Sequence, residues 1–163
     1  MGLIGSYLGL VYCGGTGYYL SPISFLKNPM VWLRAISKYR GTHTQAPNFA
    51  YALTCRKFKD AVRSKGAVKD ASLDLSTLLH MINAAEPIDP KAILDFYHTF
   101  APYGLPVGVV IPTYGLAEHT VFVCSVTTTF YHTLTYVPKK ILFVSNFNTT
   151  GRTVGAYCHQ GCL

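Results

Sequence analysis

Between residues 29 and 111 short apolar runs alternate with segments of helical period, and no other feature limits the fold as much. Strands separated by helices pair in parallel, because each crossover helix returns the chain to the same end of the sheet. Residues 29–39 place Val31, Trp32, Ala35, Ile36 and Tyr39 on one stripe, with Arg34 and Lys38 outside it, so a helix is expected there, ended by Gly41. A short link follows. Pro47 then heads a second helix whose Phe49, Leu53 and Phe58 share a face. The apolar run 75–82 reads as a strand that stops at Asn83. Asp89-Pro90 supplies a cap and a first-turn proline for a helix through Phe100. Residues 107–111 read as a buried strand stopped by Pro112. The fold class expected is α/β, a partial parallel sheet flanked by helices.

Ahead of this region, Leu3, Ile4, Leu8, Val11 and Tyr12 recur at helical spacing, which predicts a buried helix ended by Gly14-Gly15. A short aromatic strand is expected over 16–20, and Ser21-Pro22 opens the next helix. Residues 1–26 carry no charge, yet six glycines interrupt them and no basic stretch comes first, so neither a signal peptide nor a firm membrane segment is expected. Met1-Gly2 followed by Ser6 matches a myristoylation pattern short enough to arise by chance.

At 163 residues, half of them hydrophobic, the chain can bury one core. Its formal charge of +7 is concentrated in Arg56, Lys57, Lys59, Arg63, Lys65 and Lys69, the composition of a helix end running into a solvated loop. No nucleic-acid motif accompanies them, so no nucleic-acid partner is expected. The odd count of five cysteines argues against a disulfide framework and for a reducing, cytoplasmic location. Cys158, His159 and Cys162 are one ligand short of a structural zinc site and read as tail chemistry.

The only two glutamates, Glu86 and Glu118, each fall in a loop that follows an expected strand. In an α/β sheet those loops lie where ligands gather, beyond the carboxyl ends of the strands. A carboxylate beside small residues can hold a divalent metal or accept from an adenine amino group, and Tyr114 can offer a stacking face. Against this stand plainer roles, with Glu86 capping a turn and Tyr114 filling a core.

Together the two loops resemble the motifs of the adenylate-forming superfamily, whose members activate carboxylic acids with ATP. Tyr114-Gly115-Leu116-Ala117-Glu118 resembles the family element Tyr-Gly-x-Thr/Ala-Glu, and Asn83-Ala84-Ala85-Glu86-Pro87 resembles the Asn-Gly-Ala-Glu-Pro turn of fatty acyl-AMP ligases. Ser21-Pro22 through Phe25-Leu26, Trp32-Leu33, Ala35-Ile36-Ser37, Tyr39-Arg40 and Pro47-Asn48-Phe49-Ala50-Tyr51 run in the family's order. The resemblance, which extends to acyl-CoA synthetase-like relatives, divides the chain into part of an AMP-binding domain over residues 1–125 and a divergent tail over 126–163. It implies that Ala84, Ala85, Glu86, Pro87, Thr113, Tyr114, Gly115, Leu116 and Ala117 line a nucleotide site, with Tyr114 stacked on adenine. It further implies that Glu118 binds magnesium and that Asn48, Phe49 and Tyr51 border an acyl pocket. ATP or AMP and Mg2+ are the implied cofactors. Fatty acid and adenine nucleotide are the implied partners, with a carrier protein or coenzyme A as acyl acceptor.

Two departures from the pattern stand inside the motifs: Ala84 replaces a glycine, and His119 follows Glu118 where a smaller residue is commoner. The family's phosphate loop ending in lysine is missing, since Tyr18 follows Gly14-Gly15-Thr16-Gly17. The ribose-binding aspartate, the hinge and the small domain with its catalytic lysine are missing too, and Met1 reads as an internal methionine used as a start. No catalytic residue is therefore assigned. The expectation is a truncated fatty acyl-AMP ligase-like domain that does not complete acyl-adenylate formation alone. The alternatives are a non-catalytic nucleotide- or acyl-binding remnant and a non-functional gene fragment prone to aggregate through exposed apolar faces.

Overall fold

The computed structural model describes residues 2–65 and 72–125. Helices α3 (Met30–Tyr39), α4 (Asn48–Lys65) and α5 (Pro90–Phe100) alternate with strands β1 (His43–Ala46), β2 (His80–Asn83) and β3 (Val110–Tyr114). The strands lie in the order β1-β2-β3-β4, with β1, β2 and β3 parallel and β4 (Cys124–Ser125) antiparallel to β3. The α/β architecture expected from the alternation is the one observed. β1 occupies what the sequence presented as a short link, because His-Thr-Gln-Ala offers no apolar pattern and only its neighbour β2 makes it a strand.

Register stacks the strands in rows. Thr44, Met81 and Val110 form one, Gln45, Ile82 and Ile111 the next, and Ala46, Asn83 and Pro112 the last. The first and third face the helices, where Met81, Val110 and Asn83 have no exposed surface. Trp32, Tyr51 and Phe96, one from each long helix, meet there with ring centroids 5.1–6.2 Å apart. Phe96 continues to Phe100 at 4.8 Å. Aromatic pairs in these tilted and edge-on geometries add to plain burial. Polar tips tie the cluster to the sheet: the Trp32 indole donates to Thr44 Oγ1 at 3.0 Å and the Tyr51 hydroxyl to the Ile82 carbonyl at 3.0 Å.

Several expectations are corrected in detail. α3 buries Met30, Trp32, Leu33 and Ile36, while Tyr39 is exposed. The true stripe is thus turned from the expected one, toward the aromatic cluster. The left-handed residue that ends α3 is Arg40 at φ 51°, with Gly41 following it. β3 runs through Pro112 instead of stopping before it. Met81 donates to the Val109 carbonyl, so residues 110 and 112 turn their nitrogens away from β2. The Val110 N–H is met there by the Tyr97 hydroxyl at 2.7 Å, and Pro112, having no N–H, needs no partner.

At the N-terminus a π-helical turn (Gly2–Leu8) runs into α1 (Gly9–Cys13), so the segment is helical but carries no buried residue. The strand expected over 16–20 is irregular chain, in which Tyr18 stacks on Tyr39 and Tyr19 on Tyr7. Ser21 and Pro22 do open α2 (Pro22–Lys27), and Asp89 caps α5 by accepting from the Lys91 N–H at 2.9 Å. The basic stretch prolongs α4 to Lys65, and Lys59 pairs with Asp95 of α5. The Cys158–Cys162 segment and the 126–163 tail lie outside the described residues.

His43 and His80 face each other across β1 and β2, ring centroids 5.1 Å apart. Partial burial, and then the charge of His80, hold the His43 imidazole below its ordinary value of 6.5. The unfolded chain therefore binds this proton more tightly, so the stability involved is complete above 6.5 and is lost as pH falls through the window beneath it. The thermal midpoint is expected to drop between about pH 7.5 and about pH 5, and less steeply in His80→Gln, as followed by circular dichroism.

Candidate functional site

Because β2 and β3 are parallel neighbours with Asn83 opposite Pro112, the turns that leave them emerge at one edge of the sheet. The turn after β2 begins at Asn83, whose amide Nδ2 donates to Asn48 Oδ1 at the head of α4 (3.0 Å, buried). Among the described residues Asn83 Oδ1 has no partner, although the side chain is fully buried. An orphaned buried acceptor costs about 1–3 kcal/mol, so this atom is a place where a ligand donor or water gains energy. Asn83 carries no site role expected from sequence; the signal for one is an asparagine that follows the apolar pair Met81-Ile82 on the helix-facing side of the strand.

Ala84 is buried, and its N–H reaches the Ala46 carbonyl at 3.4 Å. Ala85 takes φ 74°, the left-handed region that costs a side-chain-bearing residue about 1–2 kcal/mol. The family's glycine matches position 84, but the position under backbone strain is 85. That kink aims Glu86 back at α4, where one carboxylate oxygen accepts the Phe49 N–H. A negative group at the first turn of an 18-residue helix is favoured by its unsatisfied N–H groups and dipole. Pro87 then leads toward α5.

The turn after β3 holds Tyr114, Gly115, Leu116 and a single 3-10 turn, Ala117–His119. Gly115 cannot be anything larger, since a Cβ there would lie 1.6 Å from the Val121 carbonyl oxygen. Thr120, at φ 67° and ψ −52°, with the Val121 N–H bonded to the His119 carbonyl at 2.7 Å, forms a strained γ-turn. Together they fold the chain back so that Val123 donates to the Tyr114 carbonyl and β4 forms. Thr113 is half-buried; Tyr114, Ala117, Glu118 and His119 are exposed. The Tyr114 and Glu118 side chains make no hydrogen bond or ion pair among the described residues, so a ring face and a carboxylate stand available at this edge.

Of the three residues expected beside an acyl chain, Asn48 is buried against Asn83, and Tyr51 is buried in the aromatic cluster with its hydroxyl committed to Ile82. Phe49 alone offers an open ring, edge-on to Phe25 at 6.5 Å. The geometry thus joins the 83–86 turn directly to the head of α4, whereas Tyr114 and Glu118 share the edge with them without a bond to either. Cys55, on α4, is buried and its thiol is pushed up to about 12, chiefly by desolvation, which removes it as a nucleophile. Among the described residues no group of three or more His, Cys, Asp or Glu side chains could hold a metal, and no helix is long and apolar enough to cross a membrane.

A family described as AMP-binding enzyme matches residues 1–152. The medium-chain-fatty-acid acyl-carrier-protein ligase JamA of Moorena producens is 39% identical over 122 residues, which are 75% of this chain and 19% of that protein. A ligase of the same description from Teredinibacter turnerae is 38% identical over 123 residues, 76% of this chain and 18% of its own length. Among solved structures, the fatty acyl-adenylate ligase from L. pneumophila in complex with acyl adenylate and pyrophosphate is similar at a TM-score of 0.69 and 32% identity. That match covers 94% of this chain and 25% of the ligase. The chain spans about a fifth of the length of the curated relatives it matches.

Two substitutions read the strain in this edge with opposite signs. Ala85→Gly is expected to stabilise the fold by about 0.5–1 kcal/mol, after allowing for the looser unfolded chain. Gly115→Ala is expected to cost about 1–3 kcal/mol by forcing the turn off Val121. Urea unfolding midpoints check both, and faster amide exchange at Val123 locates the second.

Proposed function

The chain belongs to the AMP-binding enzyme family, and we propose that its described residues form the adenine-contacting and acyl-bordering part of a fatty acyl-AMP ligase. One observation carries this reading: the Asn83–Pro87 and Tyr114–Glu118 turns leave adjacent parallel strands at the same edge. Tyr114, exposed and unbonded, stacks on the adenine ring. Ala84, Ala85 and Glu86 border the base, with Pro87 fixing the exit of their turn, and Thr113, Gly115, Leu116 and Ala117 carry Tyr114 and Glu118. Phe49 borders the fatty acyl chain, while Asn48 and Tyr51 hold α4 in place behind it.

The reaction we assign to the whole ligase joins a fatty acid carboxylate to the α-phosphorus of ATP, with pyrophosphate leaving, before the acyl group passes to a thiol acceptor. Magnesium suits Glu118, because it binds through one carboxylate and completes its shell with phosphate oxygens and water, and Glu118 offers an exposed, uncommitted carboxylate. When bound there it would neutralise phosphate charge. The residues of this chain bind and orient: Tyr114 fixes the plane of the base, and the 83–86 turn fixes its edge. Cationic and backbone donors for the transferred phosphoryl group, the usual source of rate, are not supplied by the described turns.

Binding without turnover is therefore expected of the 163 residues alone. Calorimetry should give saturable AMP binding, and Tyr114→Ala should weaken it by about 1–3 kcal/mol, the usual worth of a base stacked on an aromatic ring. ATP–pyrophosphate exchange with dodecanoate should stay at background. An absence of AMP binding by the folded chain would overturn the reading, and exchange above background would overturn the assignment of binding alone.

A further inference from the structure

Resting on the nucleotide and acyl reading just given, we propose that Glu86 is a positioning residue that couples the two subsites. One of its carboxylate oxygens holds the first turn of α4 beside the acyl chain while the other receives the adenine amino group. The turn after β2 and the head of α4 are already one hydrogen-bonded unit. Ala84 N–H reaches the Ala46 carbonyl, Asn83 donates to Asn48, and the Tyr51 hydroxyl donates to the Ile82 carbonyl. Each of these three contacts is buried or made to a backbone carbonyl. The fourth, from the Phe49 N–H to Glu86 Oε1, is exposed and lies between the two proposed subsites.

A carboxylate accepts through both oxygens, so it can serve two donors at once. Oε1 is committed to Phe49, and Oε2 makes no hydrogen bond among the described residues. The exocyclic amine of adenine is an N–H donor, and it matches the free oxygen. With both oxygens occupied, Glu86 loses its rotamer freedom to the nucleotide, and the first turn of α4 is pinned with it. The Phe49 ring is carried on that turn, edge-on to Phe25, which in turn stands edge-on to Trp32 at 6.1 Å. An acyl chain that packs on Phe49 then orders a surface already ordered, so it binds more tightly when nucleotide is present. By linkage the nucleotide gains the same factor from the acyl chain. The left-handed strain at Ala85 is what aims the carboxylate at α4, so the coupling is built into the backbone of the turn.

The test uses the full chain with AMP and dodecanoate as probes. Amide exchange at Phe49 is read by nuclear magnetic resonance, and dodecanoate affinity is measured with and without saturating AMP. The expected result is slower exchange at Phe49 in AMP and a dodecanoate Kd lowered by about fivefold or more. Glu86→Gln keeps an oxygen for the Phe49 N–H but turns a donor toward the adenine amine. Its Phe49 amide is expected to remain protected without ligand and to stop responding to AMP. Glu86→Ala is expected to leave Phe49 exchanging fast with or without AMP, while the amide of buried Phe96 stays protected and shows the fold intact. Saturable AMP binding that changes neither Phe49 exchange nor dodecanoate affinity would overturn the coupling and leave the proposed function standing. An absence of AMP binding would overturn both.

Discussion

The row Ala46, Asn83, Pro112 ends the parallel part of the sheet, and everything that gives this chain a site depends on its register. Parallel pairing sends β1, β2 and β3 out at the same edge, and a shift of one residue along β2 would turn Asn83 from the helices to the opposite face. The amide pair with Asn48 would then be lost, and with it the bond that sets the head of α4 beside the 83–86 turn. Buried apolar neighbours enforce that register. Met81 and Val110, two rows earlier, fill the core against the Trp32, Tyr51 and Phe96 cluster, so hydrophobic packing in one row places polar chemistry in another.

Much of this architecture was legible because strands alternating with helices have few other solutions. Asp89-Pro90 and Ser21-Pro22 were read correctly for a local reason, since a cap and a first-turn proline act within one turn of chain. What could not be read depends on neighbours. β1 is four residues of polar sequence made into a strand by hydrogen bonding to β2. Pro112 is a strand residue because the sheet leaves its nitrogen facing away from β2, a fact of topology and not of propensity. The face of α3 was misjudged for a similar cause. Tyr39 fits the apolar stripe by period, but it finds its partner in Tyr18 outside the core, while Leu33 takes the buried place.

The candidate site shows the same division. Its two carboxylates and its tyrosine stand out in sequence as residue types in turns that follow strands, but their freedom to act is a matter of contacts. Tyr114 and Glu118 are exposed and unbonded among the described residues. Glu86 is half committed, to Phe49 in the first turn of α4, 37 residues earlier in the chain. Asn48 and Tyr51 were expected beside an acyl chain because residues 47–51 resemble a family element; helical spacing sets them inward, against Asn83 and the aromatic cluster, while Phe49 faces out.

The edge also holds a concentration of cost that the rest of the molecule does not explain. Within a few residues of the two turns lie a left-handed alanine, a γ-turn centred on a β-branched threonine and a buried amide oxygen that has no partner among the described residues. A fold selected only for stability would place glycine at position 85 and an apolar side chain at position 83, since both changes relieve strain or desolvation. Strain and unsatisfied polarity cluster where the strands end and aim a carboxylate and an amide at the same corner, a placement that the proposed nucleotide site accounts for. The aromatic core, separated from this corner by the single row Gln45, Ile82 and Ile111, supplies the stability that the corner gives up.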